Sequence, residues 1–340
     1  MSFLFPFFIF FQQTEIERFL LLARNPPKKR SPVNVNSMAK STTIAAVHKP
    51  VLPPPLSATN PTVAFTTPQN YAARLSHLLT LKSLTPLWCP TIITEPTAQT
   101  LSSLAGHLSP DCLSGFSAVA FPSRTAISAA STAILSLPTP LLPPSGDEFI
   151  IGALGKDAEM IDTTFLVKFC SNLERIRVTV PQTATPSGMV VSLGDGRRRK
   201  VLCPVPKVVG IEEPPVVQNF LRELEAAGWV TTRVDAYETT WLGPSCAKGM
   251  VERTENGLDG VIFISSGEVE GLLKSLEEEY GWNWRTVRKK WPGLVVAAHG
   301  PVTAAGAERL GVNVDVVSHK YDSFEGVVDA LYSKLRGLCS

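Results

Sequence analysis

Between about residues 62 and 335 the chain sets out one strand–turn–helix plan twice, and this repetition constrains the fold more than any other feature. FSAVAF (116–121) is a near-continuous apolar run, as expected of a strand covered on both faces. Ser123 follows as an N-cap, and Ala126, Ile127, Ala130 and Ala133 repeat at helical spacing. FIIGAL (149–154) then leads to Gly155, about 34 residues after Phe121. The same order returns at LDGVIFI (258–264), where Ser265-Ser266-Gly267 opens a helix. GLVVAA (293–298) then leads to Gly300, about 36 residues after Ile264. IRVTV (176–180) is answered by VNVDVV (312–317), and Pro186-Ser187-Gly188-Met189-Val190 by Phe324-Glu325-Gly326-Val327-Val328.

Further units of the same kind surround these copies. TVAFT (62–66) turns at Pro68 into a helix bearing Ala72, Leu75, Leu78 and Leu79, and an extended stretch follows at 85–94. KVLCPV (200–205) precedes a helix over 214–227 whose Val217, Phe220, Leu221 and Leu224 share a face. Gly228 stops that helix, and VTTRVDAY (230–237) is the next strand. Strand followed by helix, repeated, implies right-handed crossovers and mostly parallel sheets, so the expected class is α/β. At 340 residues there is chain enough for two domains.

In open α/β sheets ligands bind beyond the C-terminal ends of the strands. The turns expected there are Thr66-Thr67-Pro68, Ser123-Arg124-Thr125, Ser265-Ser266-Gly267 and Gly300-Pro301-Val302-Thr303. Small hydroxyls and backbone N–H groups at helix N-termini suit carboxylates or phosphates. A Ser or Thr in any one of them would equally serve as a helix cap alone.

Several function classes are disfavoured. Residues 1–50 hold seven Lys/Arg against two Glu, and the remainder holds 25 basic against 28 acidic residues. The body therefore lacks the basic surplus of a general nucleic-acid binder. The six cysteines are scattered without a Cys-x-x-Cys pair, so they are read as reduced and mostly buried, and the five histidines are isolated, so no metal set is expected. Gly194-Asp195-Gly196 with Arg197–Lys200 precedes a strand instead of following one, which argues against a phosphate loop. The runs Glu277–Glu279 and Arg288–Lys290 read as exposed faces, His299 as chiefly structural, and Trp282, Trp284 and Trp291 as packing residues. No Ser/His/Asp order or paired carboxylates of diagnostic spacing appear. An enzyme built this way would rely on shape, hydroxyls and a phenol.

The N-terminus stands apart. MSFLFPFFIFF (1–11) is shorter than the ~20 residues a membrane span needs. No acidic residue occurs between Glu17 and Glu95, and a Ser/Thr/Ala-rich stretch opens at Met38. A basic, hydroxyl-rich, acid-poor leader over 1–58 fits an organelle transit peptide; a disordered tail, or a start at Met38, is the alternative.

Taken together, Val63–Pro68 with its helix, Phe116–Ala126, Lys200–Pro204, Val234–Thr239, Val261–Val269 and His299–Gly311 resemble the uroporphyrinogen-III synthase family. GPVTAAGAERLG (300–311) and VDAYETT (234–240) are the most specific stretches. The resemblance implies two similar parallel-sheet α/β lobes joined by two linking strands. Lobe one would be 62–87 plus 242–335, lobe two 92–236, and the links near 88–94 and 231–240. It further implies a monomer without cofactor or metal, acting on hydroxymethylbilane, a linear tetrapyrrole with eight carboxylates, to form uroporphyrinogen III with inversion of its last ring. That chemistry serves haem and chlorophyll biosynthesis, and with the leader it implies a plastid location, the cytoplasm being the alternative. Tyr237 matches the family's tyrosine that assists hydroxyl departure; Thr303 and Ser265 match ligand-side residues. Thr66, Thr67, Ser123, Arg124, Ser266 and Gly300 complete the expected substrate-binding set.

Departures from the family pattern accompany the resemblance. Thr66-Thr67 stands where Thr-Arg is frequent, Pro122-Ser123-Arg124 where Thr-Ser-Pro is usual, and Gly155-Lys156-Asp157-Ala158 where Gly-x-x-Thr is usual. An added Asp157 would repel a polycarboxylate unless turned away or neutralised by Lys156 or Arg124. These changes leave open a second reading, a catalytically impaired member that binds a tetrapyrrole or a protein partner.

Overall fold

The computed structural model describes residues 60–255, 257–320 and 323–337. The leader over 1–58 and Cys339 lie outside the described residues. The chain begins with β1 (Thr62–Phe65), α1 (Gln69–Leu81), β2 (Thr85–Trp88) and β3 (Ile92–Glu95). Next come α2 (Ala98–Leu108), α3 (Pro110–Leu113), β4 (Ala118–Phe121), α4 (Arg124–Ile134) and β5 (Phe149–Ala153). After a 3₁₀ segment (Gly155–Met160) follow α5 (Thr163–Phe169), β6 (Ile176–Thr179), α6 (Pro186–Leu193) and β7 (Lys200–Val209). Then α7 (Pro215–Ala226), β8 (Val230–Trp241), α8 (Lys248–Arg253), β9 (Gly260–Phe263), α9 (Ser266–Tyr280) and α10 (Trp284–Lys290) lead to the last unit. This comprises β10 (Val295–Ala298), α11 (Pro301–Arg309), β11 (Val316–Val317) and α12 (Phe324–Leu335).

The strands form two sheets, ordered β11-β10-β9-β1-β2 and β3-β8-β7-β4-β5-β6. All pairings in the first are parallel. In the second only β3, against β8, is antiparallel. Read from its other edge, the second sheet runs β6-β5-β4-β7-β8 and matches the first strand for strand. The sequence pairs β4 with β9, β5 with β10 and β6 with β11, and each pair holds the same sheet position.

Both faces of each sheet are covered, which explains why the central strands are apolar throughout. In sheet one, Val261, Phe263 and Val296 face Val269, Leu272 and Leu276 of α9, while Val63, Phe65 and Ile262 face α1 and α12. In sheet two, Val119, Phe121 and Ile151 pack with α2 and α4, and Ala118, Ile150 and Val201 with α6 and α7. Each fully buried Leu, Ile or Phe contributes about 1.5–3 kcal/mol.

Several elements differ from the sequence expectation. The extended stretch at 85–94 divides: β2 pairs with β1, while β3 joins the other sheet beside β8. The strand expected at 200–205 runs on to Val209 despite Pro204 and Pro206. β4 pairs with β7 only at Val201 and Leu202, so beyond that point one edge of β7 has no strand neighbour and a missing N–H is tolerated there. The strand expected at 312–317 shrinks to Val316–Val317. Arg288 is no freely solvated charge: it binds the Asp315 carboxylate at 3.0 Å and the Leu294 carbonyl, tying α10 to the approach to β11. Glu277–Glu279 are exposed, and Trp291 is buried against Trp282.

Cys89, Cys112, Cys170, Cys203 and Cys246 are free thiols, three of them buried. Among the described residues no helix is long and apolar enough to cross a membrane.

Candidate functional site

The C-terminal ends of the two parallel sheets open on a common cleft of about 900 Å³. Sheet one contributes the turn after β9 (Ile264, Ser265), His299 after β10, and Tyr71 and Arg74 from the start of α1. Sheet two contributes Ser123–Thr125 after β4, Leu154–Asp157 after β5, and Tyr237 on β8. Val205, Pro206, Val208, Ile211 and Phe220 form an apolar wall. A concave, largely apolar cavity with a few convergent polar groups is the usual form of a small-molecule site.

The sequence places Tyr237 on β8 opposite Pro206 of β7, so the ring is held by a twelve-residue strand. Its Oη lies 2.9 Å from Ser123 Oγ. Ser123 Oγ also caps α4 by accepting the Ala126 N–H at 3.2 Å. The tyrosine is only 6% exposed, and burial pushes its phenol up to about 12. The Ser123 hydrogen bond acts against that rise, while Tyr71 and Asp157 reinforce it. The phenol is therefore protonated at physiological pH and able to donate.

Arg124 is half-exposed at the cleft, with Nη1 3.8 Å from the Asp157 carboxylate. Burial raises the Asp157 carboxyl, while the Arg124 guanidinium and backbone N–H favour its ionised form. Thus the added acid is neither turned away nor left unopposed. Tyr71 is also raised, by burial first and then by the Asp157 charge, against a hydrogen bond to Thr125. Arg74 stacks on Phe324, 5.7 Å from the ring centroid, and pairs with Glu325 at 3.2 Å.

The other expected ligand residues fall into three groups. Ser265 lines the cleft, donating to Glu268 Oε1 at 3.2 Å and accepting the Glu268 N–H at 3.3 Å. Thr66, Thr67, Gly300 and Thr303 are buried and are not among the residues that line the cleft. Thr66 and Thr67 are fully buried, and Thr66 Oγ1 donates to Glu268 Oε2 at 2.9 Å. Gly300 is the N-cap of α11, while Thr303 Oγ1 donates to the Ile264 carbonyl at 2.9 Å and pins α11 to the β9 turn. Ser266 faces α11 and a shallower hollow of about 330 Å³; a Cβ on Gly306 would come within 2.4 Å of its own Cβ.

Tyr71 and Glu268 are missing from the sequence expectation. Glu268 is 1% exposed and reaches across the β1 and β9 turns, accepting from Thr66, Ser265 and the Ile264 N–H. Burial pushes its carboxyl up to about 7 in spite of those three hydrogen bonds. Ser265-x-x-Glu268, the spacing of a capping box, was the available signal. Among the described residues no group of His, Cys, Asp or Glu is placed to hold a metal ion.

The family described as Uroporphyrinogen-III synthase HemD matches residues 73–327, well over half the chain. No curated protein matches by sequence. Among solved structures, a mutant uroporphyrinogen III synthase from the extremely thermophilic bacterium Thermus thermophilus superposes with a TM-score of 0.51 at 17% identity. The match covers 82% of this chain and 98% of that one. The wild-type enzyme of the same bacterium gives 0.40 at 17% identity, with 82% and 98% covered. The first of these shows a shared two-lobed fold, in agreement with the paired sheets. The chain thus belongs to the uroporphyrinogen-III synthase HemD family, enzymes of tetrapyrrole synthesis.

Proposed function

We propose that this protein is a uroporphyrinogen-III synthase, a lyase that closes hydroxymethylbilane with loss of water and inversion of the last pyrrole. The observation that carries the reading is the buried, protonated Tyr237 phenol, held by Ser123 in a cleft shared by both sheets. The reaction begins when the terminal C–O bond of the bilane breaks. Tyr237 Oη gives its proton to the departing oxygen, which leaves as water, and the Ser123 hydroxyl donates to the phenolate that remains. General-acid assistance of this kind contributes about 10²–10⁴ in rate. The resulting cation, delocalised onto a pyrrole nitrogen, is attacked by the last ring to give a spiro intermediate. The bond between the spiro carbon and its original bridging carbon then breaks, the bridge recloses on the last ring's other α-carbon, and the proton lost from that carbon on rearomatisation restores the phenol. Atoms balance as substrate minus water with no net oxidation, so the chemistry calls for no redox cofactor.

The cleft surface supports this substrate class. Lys156 supplies positive charge for carboxylates beside Arg74 and Arg124, whose guanidiniums are paired with Glu325 and Asp157, and the wall of Val205, Pro206 and Phe220 suits flat pyrrole rings. Purified protein given fresh hydroxymethylbilane tests the reading through the porphyrin isomers recovered after oxidation. Isomer III above the protein-free control supports it, and isomer I alone removes it.

The acid-poor leader supports plastid import, where the product would enter haem and chlorophyll synthesis. A fluorescent fusion of residues 1–62 that stays cytosolic would count against import. A monomer is the expected assembly, and light scattering of the purified protein checks it.

A further inference from the structure

Asp157 sits in the 3₁₀ segment after β5, beside the N-terminus of α4, which follows the neighbouring strand β4. Three features converge there. The Ser123 hydroxyl occupies the cap by bonding the Ala126 N–H. The Arg124 guanidinium lies 3.8 Å from the Asp157 carboxylate. The Arg124 backbone N–H favours the ionised form of the same carboxylate. Arg124 and Asp157 both line the cleft, and the Asp157 side chain is 29% exposed. The helix has no acidic residue of its own in its first turn, so the anion at this terminus comes from the next loop.

A helix N-terminus flanked by an arginine would ordinarily receive an anionic ligand group. Here the protein's own carboxylate is already in place. We propose that Asp157 is a specificity-determining residue of the cleft, occupying the anion position at the N-terminus of α4 so that a ligand carboxylate is kept out of that turn. The inference rests on the uroporphyrinogen-III synthase reading, because it treats the cleft as a polycarboxylate site. It assigns the ligand's acidic side chains to Lys156, the next cation along the same loop, and leaves the Tyr237–Ser123 pair facing a less charged part of the substrate. Asp157 also acts through its field: its charge is among the causes that hold the Tyr71 and Tyr237 phenols protonated.

Asp157→Asn keeps the size of the side chain and removes its charge. Calorimetric titration with benzenehexacarboxylate, a stable polycarboxylate probe, should show binding about threefold to tenfold tighter than in the wild type. Adding Arg124→Gln to that variant should cancel the gain and so place it at α4. With hydroxymethylbilane, KM should fall by a similar factor. Asp157→Ala vacates the same position and answers the question if the Asn variant does not fold. Equal or weaker probe binding in a folded variant overturns the proposal. Isomer III formation by the wild type is scored separately. Its absence with tighter probe binding would sink the enzyme reading alone, and its presence with unchanged probe binding would sink the role of Asp157 alone.

Discussion

The Tyr237 phenol and the Ser123 hydroxyl meet at 2.9 Å, one from strand β8 and the other from the turn after β4, with β7 between those strands. The same serine oxygen caps α4, so a single atom couples the helix N-terminus to the candidate general acid.

Tyr237→Phe should lower the rate of isomer III formation by about 10²-fold while costing only about 1 kcal/mol of stability, since the ring stays packed. Because the phenol lies at about 12, the wild-type rate should show no tyrosine ionisation between about pH 6 and pH 9. Initial rates for the two proteins across that range check both statements, and an unchanged rate in the variant removes Tyr237 from the mechanism.

Ser123→Ala removes the cap and the phenol's partner together. Unfolding in urea should show a loss of about 1 kcal/mol, and kcat should fall less than in Tyr237→Phe, because the acid itself remains. Ser123→Thr, which keeps the hydroxyl, should restore most of both.

Glu268 gives a pH dependence whose sign is fixed by its environment. Its folded-state carboxyl lies at about 7 against an ordinary value of 4.5, so between these the native state holds the extra proton. Stability from this group is full below about pH 4.5 and is lost as pH rises through 7. Glu268→Gln cannot ionise and should escape this loss. Relative to the wild type it should gain about 2–3 kcal/mol between pH 4.5 and pH 8. Glu325, held down at about 2, titrates alike in both proteins and cancels in the comparison. Parallel urea-stability profiles would show the burial argument to be wrong.

Gly306→Ala should destabilise the fold by about 1–3 kcal/mol, because the new methyl group meets Ser266 Cβ at 2.4 Å where α9 and α11 cross. Ser266→Ala should leave KM for hydroxymethylbilane within about twofold, since that hydroxyl faces the helix contact and not the main cleft. Thermal melts and steady-state kinetics separate the two effects.

The sequence carried the duplicated architecture because buried parallel strands such as Ala118–Phe121 and Gly260–Phe263 are apolar on both faces, and each is followed by a capping serine. Ser123 and Ser265 were legible as caps for the same reason. Helix α2 lacks a clear start signal: Leu101, Leu104, Ala105 and Leu108 repeat at helical spacing, but its Thr97–Thr100 capping box lacks the usual Glu or Gln. The full length of β7 was hidden by Pro206, which local rules exclude from a central strand, and the short reach of β4 makes it acceptable there, as it does Pro204. Which hydroxyls face ligand was not legible. Thr66 and Thr303 are turned inward by partners distant in sequence, Glu268 and the Ile264 carbonyl, and spacing along the chain does not encode those contacts.

The most direct test of the account is the isomer ratio formed from hydroxymethylbilane by the purified protein, measured beside a protein-free blank. A working Tyr237–Ser123 pair in this cleft predicts isomer III as the main product in the wild type and a strongly reduced yield of it in Tyr237→Phe. A wild-type product indistinguishable from the blank, with isomer I alone, would contradict it.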